Sequence, residues 1–458
     1  MLVKDKAFYK TFATLTAMIA MQNLLAFGVN LADNIMLGRY NETSLAAASL
    51  VNQIQYLLQM VSVNGIGTGA LALVSQYWGM GEIEPIKRII ALMMKFAAGA
   101  GLIFGAVTFF FPHTVIGLMT NQPEVIADGV IYLRLMSLTY ITFPLQSALI
   151  MSLRGVHTVK IGPIISAISL ATNVILNYIF IFGKLGAPEF GIRGAAIATV
   201  TARIVELVIT LVYVRFIDKK LRLRVFAFFK PDAYYLRDFA KAAFPVIGSA
   251  TSWGIGTIMQ TAILGHLTAT VIAANSIAVA VHQVISVYAG GATWSSSVMI
   301  GNVVGAGKLN LIKPYTRTLQ LLYIANGLLT SLLLLLTRDL IIGFYILTPE
   351  TAELARTFIS VLCFTVIGTA YLFPVESGII LGGGHTRYAF VVDTLFIWLF
   401  VLPMSALSAF VFKFPPVITF LFLKSDQILK CIPNAITVNR YRWIRNLTRD
   451  GQSSTALQ

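Results

Sequence analysis

Runs of about twenty or more predominantly apolar residues recur from residue 12 to residue 433, and no other feature constrains this fold as strongly. The hydrocarbon core of a bilayer is about 30 Å thick, and about 20 apolar residues in a helix cross it with every backbone polar group bonded internally. Hydropathy places twelve such segments near 12–37, 45–76, 89–112, 127–152, 163–183, 192–216, 242–267, 270–303, 315–336, 352–380, 388–411 and 415–433. The last is the weakest, because Lys424 and Asp426 interrupt it. Only 12% of the 458 residues are charged and 57% are hydrophobic, against about 25% charged in an ordinary soluble domain. The expected fold class is an all-α integral membrane protein of twelve transmembrane helices.

The segment from Phe12 to Leu37 is longer than the apolar region of a signal peptide and contains Gln22, Asn23, Asn30 and Asp33. It is read as a retained first helix. The net charge of +15 falls largely between segments: Lys4, Lys6 and Lys10 before the first, Lys87 and Arg88 after the second, Arg154 and Lys160 after the fourth, and a basic stretch after the sixth. Alternate connections are poor in Lys and Arg. The positive-inside rule then puts both termini in the cytoplasm; the expected location is the cytoplasmic (inner) membrane.

The same distribution argues against nucleic acid as a partner, since no basic, aromatic-interleaved soluble module is present. No Walker spacing occurs; the nearest approach, GNVVGAGKL at 301–309, has Asn302 at a required glycine and Leu309 at the hydroxyl position. HExxH, GxSxG and Cys/His clusters are also missing, and Cys363 and Cys431 form no recognisable framework. An enzyme is not expected, nor a cofactor. The energy for any transport is then expected from an ion gradient or from the substrate's own gradient.

The chain repeats itself. GMGEIEPIKR at 79–88 returns as GAGKLNLIKP at 305–314, 226 residues later. MLGRYNETSLAAASL at 36–50 resembles LGHLTATVIAANSI at 264–277, and FPLQSALIMSLRGVHT at 143–158 resembles FPVESGIILGGGHT at 373–386. Three matches in one order indicate duplication. Six helices return the chain to its starting side, so the halves share a topology and are expected to be related by a pseudo-two-fold axis along the membrane normal. The expected organisation is an N-lobe at 1–217, a cytoplasmic linker at 218–240, a C-lobe at 241–433 and a basic cytoplasmic tail at 434–458.

Ionisable groups at bilayer depth cost roughly 2.5–3.5 kcal/mol on insertion scales, and mark function or pairing. Asp33 lies near the outer end of segment 1; Asn173 and Asn177, four apart on segment 5, share one face; Thr199 lies on segment 6. This oxygen set suits Na⁺, or Asp33 carries a proton with the others as hydrogen-bond partners. Read from the residues alone, the asparagines equally serve as interhelical glue. Arg203 and Glu206, three apart, are expected to satisfy each other.

In the second half, Glu376 follows Pro374 and is a candidate cavity acid, while His282 and Gln283 lie on segment 8 and Asp393 on segment 11. Trp253, Met259, Gln260, Tyr288 and Trp294 offer an aromatic and thioether wall for flat cations, or equally lie against lipid. Lys95 and Arg134 each line water or pair with an acid.

LADNIMLG at 31–38, LVSQYWGMG at 73–81, SLRGVHT at 152–158, TNVILNYIFIFGKLGAPEFGIRGAAIAT at 172–199, AANSIA at 273–278 and RWIRNLT at 442–448, with the repeat, resemble the multidrug and toxic compound extrusion (MATE) family over nearly the whole chain. The resemblance implies two six-helix lobes around a cleft, alternating access, and export of small organic, often cationic, compounds in exchange for H⁺ or Na⁺. It maps Asp33, Asn173, Asn177 and Thr199 onto the family's N-lobe cation site. Asn177 stands where some relatives have an acid. The stretch GSATSWGIG in segment 7 lacks the acid that some members use, and Leu381 replaces an arginine. Coupling is therefore expected at Asp33, with Glu376 as a secondary candidate, in a protein acting as a monomer. The alternatives are a lipid-linked oligosaccharide flippase of related fold and a non-transporting membrane scaffold or sensor.

Overall fold

The computed structural model describes residues 2–223, 234–343, 345 and 347–449. Much of the expected linker at 218–240 and the end of the tail at 434–458 lie outside the described residues.

Helices form where the apolar runs predict them. Among the described residues, nine are long and apolar enough to cross a membrane, and a tenth span results if the bent pair Pro123–Met136 and Thr139–Gly155 is counted as one. The chain is an all-helical, multi-span membrane protein. Two of the twelve sequence segments depart from that simple form. Segment 7 is a 30-residue helix, Leu236–Gly265, whose Gly, Ser and Thr residues dilute its hydropathy. Segment 12 is three pieces, Pro416–Lys424, Asp426–Leu429 and Cys431–Arg440.

Local chemistry sets the ends and bends. Lys6–Tyr40 stops at Asn41, whose side chain accepts the Thr43 N–H at 2.8 Å and starts the next helix at once. The bend of 47° in the fourth span falls at Ser137 and Leu138. One turn on, Pro144 has no N–H for the Tyr140 carbonyl. Gly101 lies against that same carbonyl, so close that a Cβ there would stand 2.4 Å from the oxygen. Glycine is what admits the neighbouring helix. Wider π-type turns interrupt the spans at Met60–Gly67 and Pro374–Ile380.

Contacts divide the chain into two compact units. The N unit comprises Met21–Val74 and Glu82–Ile247; the C unit comprises Met1–Ala20, Ser75–Gly81 and Gly248–Gln458. The N unit packs around Leu37, Val51, Leu58, Tyr132, Leu133, Tyr140 and Ile181. In it, Arg154, counted above as a loop cation, is buried at a helix end and donates to Gln22 Oε1 at 2.8 Å. The C unit packs around Leu264, Ala274, Phe358, Leu362 and Phe420, with the Phe358 and Phe420 rings stacked at 4.1 Å.

The repeated glycine turns have a structural reason inside the C unit. Gly81 and Gly307 take positive φ, +82° and +68°, where a side chain is strained. Gly79 and Gly305 serve close approach: a Cβ on Gly79 would stand 2.2 Å from the Asn302 carbonyl oxygen, and one on Gly305 would stand 1.9 Å from that of Gln76. The tail closes over this junction. Gln76, fully buried, donates to the Gly382 and Arg445 carbonyls at 3.3 and 3.2 Å and accepts the Leu447 N–H at 2.7 Å.

Candidate functional site

The N unit gathers Asp33, Asn173, Asn177 and Thr199 from three helices, Lys6–Tyr40, Ile161–Phe182 and Ile192–Val212. The i, i+4 spacing of the asparagines aims both at the first helix. Asn177 Nδ2 donates to Asp33 Oδ1 at 2.5 Å and to Asn173 Oδ1 at 3.1 Å. Thr199 Oγ1 donates to Asp33 Oδ2 at 3.3 Å and accepts from Asn173 Nδ2 at 3.2 Å. Asp33 and Thr199 are 5% exposed and both asparagines 0%. The ring is closed but not saturated, since the buried Asn177 Oδ1 receives no hydrogen bond.

Two further side chains belong to these surroundings. The buried Tyr132 hydroxyl lies beside Thr199 and the Asp33 carboxyl. An aromatic in an apolar run gives no sign of this in the sequence. Arg203, close enough to act electrostatically on Asp33, also donates to Glu206 Oε2 at 2.8 Å, the pair its spacing predicted. A carboxylate enclosed by amide and hydroxyl groups can take up a proton or a hard cation, because either replaces charge that burial leaves expensive.

The C unit carries a second polar cluster, and Asp426, one of the charges that interrupt segment 12, points into it. Lys430, 1% exposed, donates to Asp393 Oδ1 at 2.7 Å and lies 3.5 Å from Asp426 Oδ2. Ser249 Oγ donates to Asp393 Oδ2 at 2.5 Å. Glu376, on the Pro374–Ile380 turn, lies beside Asp393 and accepts from Asn434 Nδ2 at 2.9 Å. Lys430 Nζ also stands 4.9 Å from the centre of the Trp253 ring.

Of the residues suggested for a substrate cavity, Trp253 and Glu376 thus meet at Lys430, while His282 Nε2 lies 3.3 Å from Gln427 Nε2. Met259 and Gln283 are exposed on their helices, while Gln260, Tyr288 and Trp294 are half-buried. Lys430, Asp426 and Asn434 were not among the sequence candidates. The break in the hydropathy of segment 12 was their signal.

A duplicated multi-span helical protein that encloses ionisable groups at membrane depth belongs to the class of membrane transporters. The MatE family model matches residues 19–179 and again 245–407, two copies that begin 226 residues apart, the offset of the glycine repeat. The chain belongs to the MatE family. It is similar to the probable multidrug resistance protein NorM of Thermotoga maritima, 23% identical over 84% of this chain and 82% of that one. It is also similar to the NorM of Listeria monocytogenes, 25% identical over 87% of each chain. The fold is shared with the Vibrio cholerae MATE transporter VcmN in its bent form, at a TM-score of 0.83 and 18% identity over 96% of this chain and 98% of that one.

Proposed function

We propose that this protein is a secondary antiporter that exports small organic compounds, cationic ones foremost, in exchange for H⁺ or Na⁺ loaded at Asp33. The observation that carries the reading is the buried Asp33 carboxylate held by Asn177 and Thr199, with the Asn177 Oδ1 acceptor left over. As a carboxylate, Asp33 accepts both hydrogen bonds. Once protonated it becomes a donor, and Asn177 Oδ1 is an unused acceptor in the same ring. For Na⁺, the Asp33, Asn173, Asn177 and Thr199 oxygens supply a hard-ligand set. Either ion shifts the protein between states only by its difference in affinity for them.

The names of the relatives, multidrug resistance proteins, support drug-like organic substrates. The sequence supports lobes at 1–217 and 241–433, joined by the 218–240 linker, that rock about a central cavity in the cytoplasmic membrane, with both termini inside and the monomer as the working form. Met259, Gln260, Gln283, Tyr288 and Trp294 remain proposed cavity residues with Trp253, His282 and Glu376.

The test is efflux from proteoliposomes under an imposed ΔpH or Na⁺ gradient, against a panel of organic cations. Asp33→Asn keeps the shape of the side chain and removes the charge; it should abolish gradient-driven efflux with expression intact. Unchanged transport by Asp33→Asn would overturn the assignment.

A further inference from the structure

The Lys430 cluster holds more anionic capacity than an ion pair requires. A buried lysine is satisfied by one carboxylate and its hydrogen bonds, and surplus buried charge is costly. Here three acids, Glu376, Asp393 and Asp426, adjoin the Lys430 ammonium, and among the described residues the one further cation acting on them is Lys424, near Asp426. Asp426 is 1% exposed and Asn434 0%, yet Asp426 Oδ2 and Asn434 Oδ1 receive no hydrogen bond. Asp426 Oδ2 faces Lys430 Nζ across 3.5 Å. The Trp253 ring adds a π face at 4.9 Å. Carboxylates together with an aromatic face are the chemistry that recognises an organic ammonium. Among the described residues, no three His, Cys, Asp or Glu side chains converge on a metal-holding point; the acids are spread around the ammonium instead.

The groups also come from separate elements. Ser249 and Trp253 lie on Leu236–Gly265, Glu376 on Pro374–Ile380, Asp393 on Thr386–Phe396, and Asp426, Lys430 and Asn434 on the broken last segment. Such convergence surrounds the Lys430 ammonium with groups held by separate elements.

We propose that the C unit contains a binding site for a small primary alkylammonium, formed by Asp393, Asp426, Glu376 and Trp253, and that the Lys430 side chain is its resident occupant. Lys430 is then the residue that decides specificity there: it keeps inorganic cations out of the C unit and leaves ion loading to Asp33. Shortening Lys430 empties the site for a free ammonium of the same size.

The binding claim stands apart from the antiport reading; only its effect on transport rests on that reading. Full-length Lys430→Ala, purified in detergent, should melt below the wild type and recover most of the lost melting temperature with rising ethylammonium chloride, but not with NaCl or tetramethylammonium chloride at equal ionic strength. Wild type should be indifferent to ethylammonium, and Lys430→Ala/Asp393→Asn should lose the response. Lys430→Ser, as short as alanine and more polar, carries the same test if the alanine variant aggregates. In proteoliposomes, ethylammonium should restore efflux to Lys430→Ala and not to Asp33→Asn. An equal response in wild type, a response to NaCl alone, a response retained by the double variant, or none in either single variant overturns the proposal.

Discussion

Gly305 and Gln76 touch backbone to backbone: a Cβ at position 305 would stand 1.9 Å from the Gln76 carbonyl oxygen. The equivalent residues of the repeat reciprocate, with Gly79 against the Asn302 carbonyl at 2.2 Å. Neither obstacle is the free end of a side chain, so one helix end must shift to admit a methyl group. Gly305→Ala should therefore cost about 3 kcal/mol or more, at the upper end of overpacking. Gly307→Ala, which meets open space at φ +68°, should cost only about 1–2 kcal/mol. Thermal melting of the two purified variants checks the order, and an equal loss would refute the close-approach argument.

Gln76 ties the tail by two of its three hydrogen bonds, those to Arg445 and Leu447, from a fully buried side chain. Gln76→Ala leaves the Leu447 N–H and the Gly382 and Arg445 carbonyls short of partners, at about 1–3 kcal/mol for each group that stays dry. Limited trypsin digestion should cut faster after Arg445 and Arg449 in Gln76→Ala than in the wild type. Unaltered cleavage would mean the tail is held without Gln76.

In the N unit, Asn177→Leu removes the donor to Asp33 and the unbonded Oδ1 together. A hydrogen bond to a charged group is worth about 1.5–3 kcal/mol, which is about 10–100-fold in an ion-binding constant. The ion concentration for half-maximal exchange should shift by a factor in that range, and Thr199→Val, with its longer bond of 3.3 Å, should shift it less. The reverse order of the two variants would argue against this geometry.

His157 lies between two spans and takes φ +59°, closing a helix end through its N–H to the Arg154 carbonyl at 3.0 Å. Burial, with the Lys220 ammonium nearby, holds its imidazole at about 4, below the ordinary 6.5. Above pH 6.5 the side chain is neutral both folded and unfolded and costs nothing. As pH falls from 6.5 through about 4, the unfolded chain takes the proton first, so stability is lost, in total about 3 kcal/mol. His157→Asn, which tolerates the left-handed backbone, should flatten the melting temperature over that window. A slope identical to wild type would remove His157 as its source.

Much of this architecture could be read from the chain. The apolar runs placed ten spans and the 30-residue helix at Leu236–Gly265, and the repeat located the glycine turns. Asp33, Asn173, Asn177 and Thr199 were recognisable because a carboxylate and a same-face asparagine pair are conspicuous among apolar residues. The last segment misled for the same reason: Lys424 and Asp426 read as a defect in hydropathy, whereas Asp426 faces Lys430 inside the C unit. Tyr132 gave no signal at all, and Gln76 stood within LVSQYWGMG without revealing its partners.

The sequence by itself determined the solvent of this protein and the succession of its spans, because the cost of placing a residue in lipid is nearly additive along the chain and shows in the order of residues. Tertiary structure decided the pairings. Asp393 finds Lys430 37 residues away, and Asp33 finds Asn177 across 144 residues. Which helix faces meet depends on close approaches such as that of Gly305 to Gln76, and the free energy of a buried charge is set by the partner it meets there.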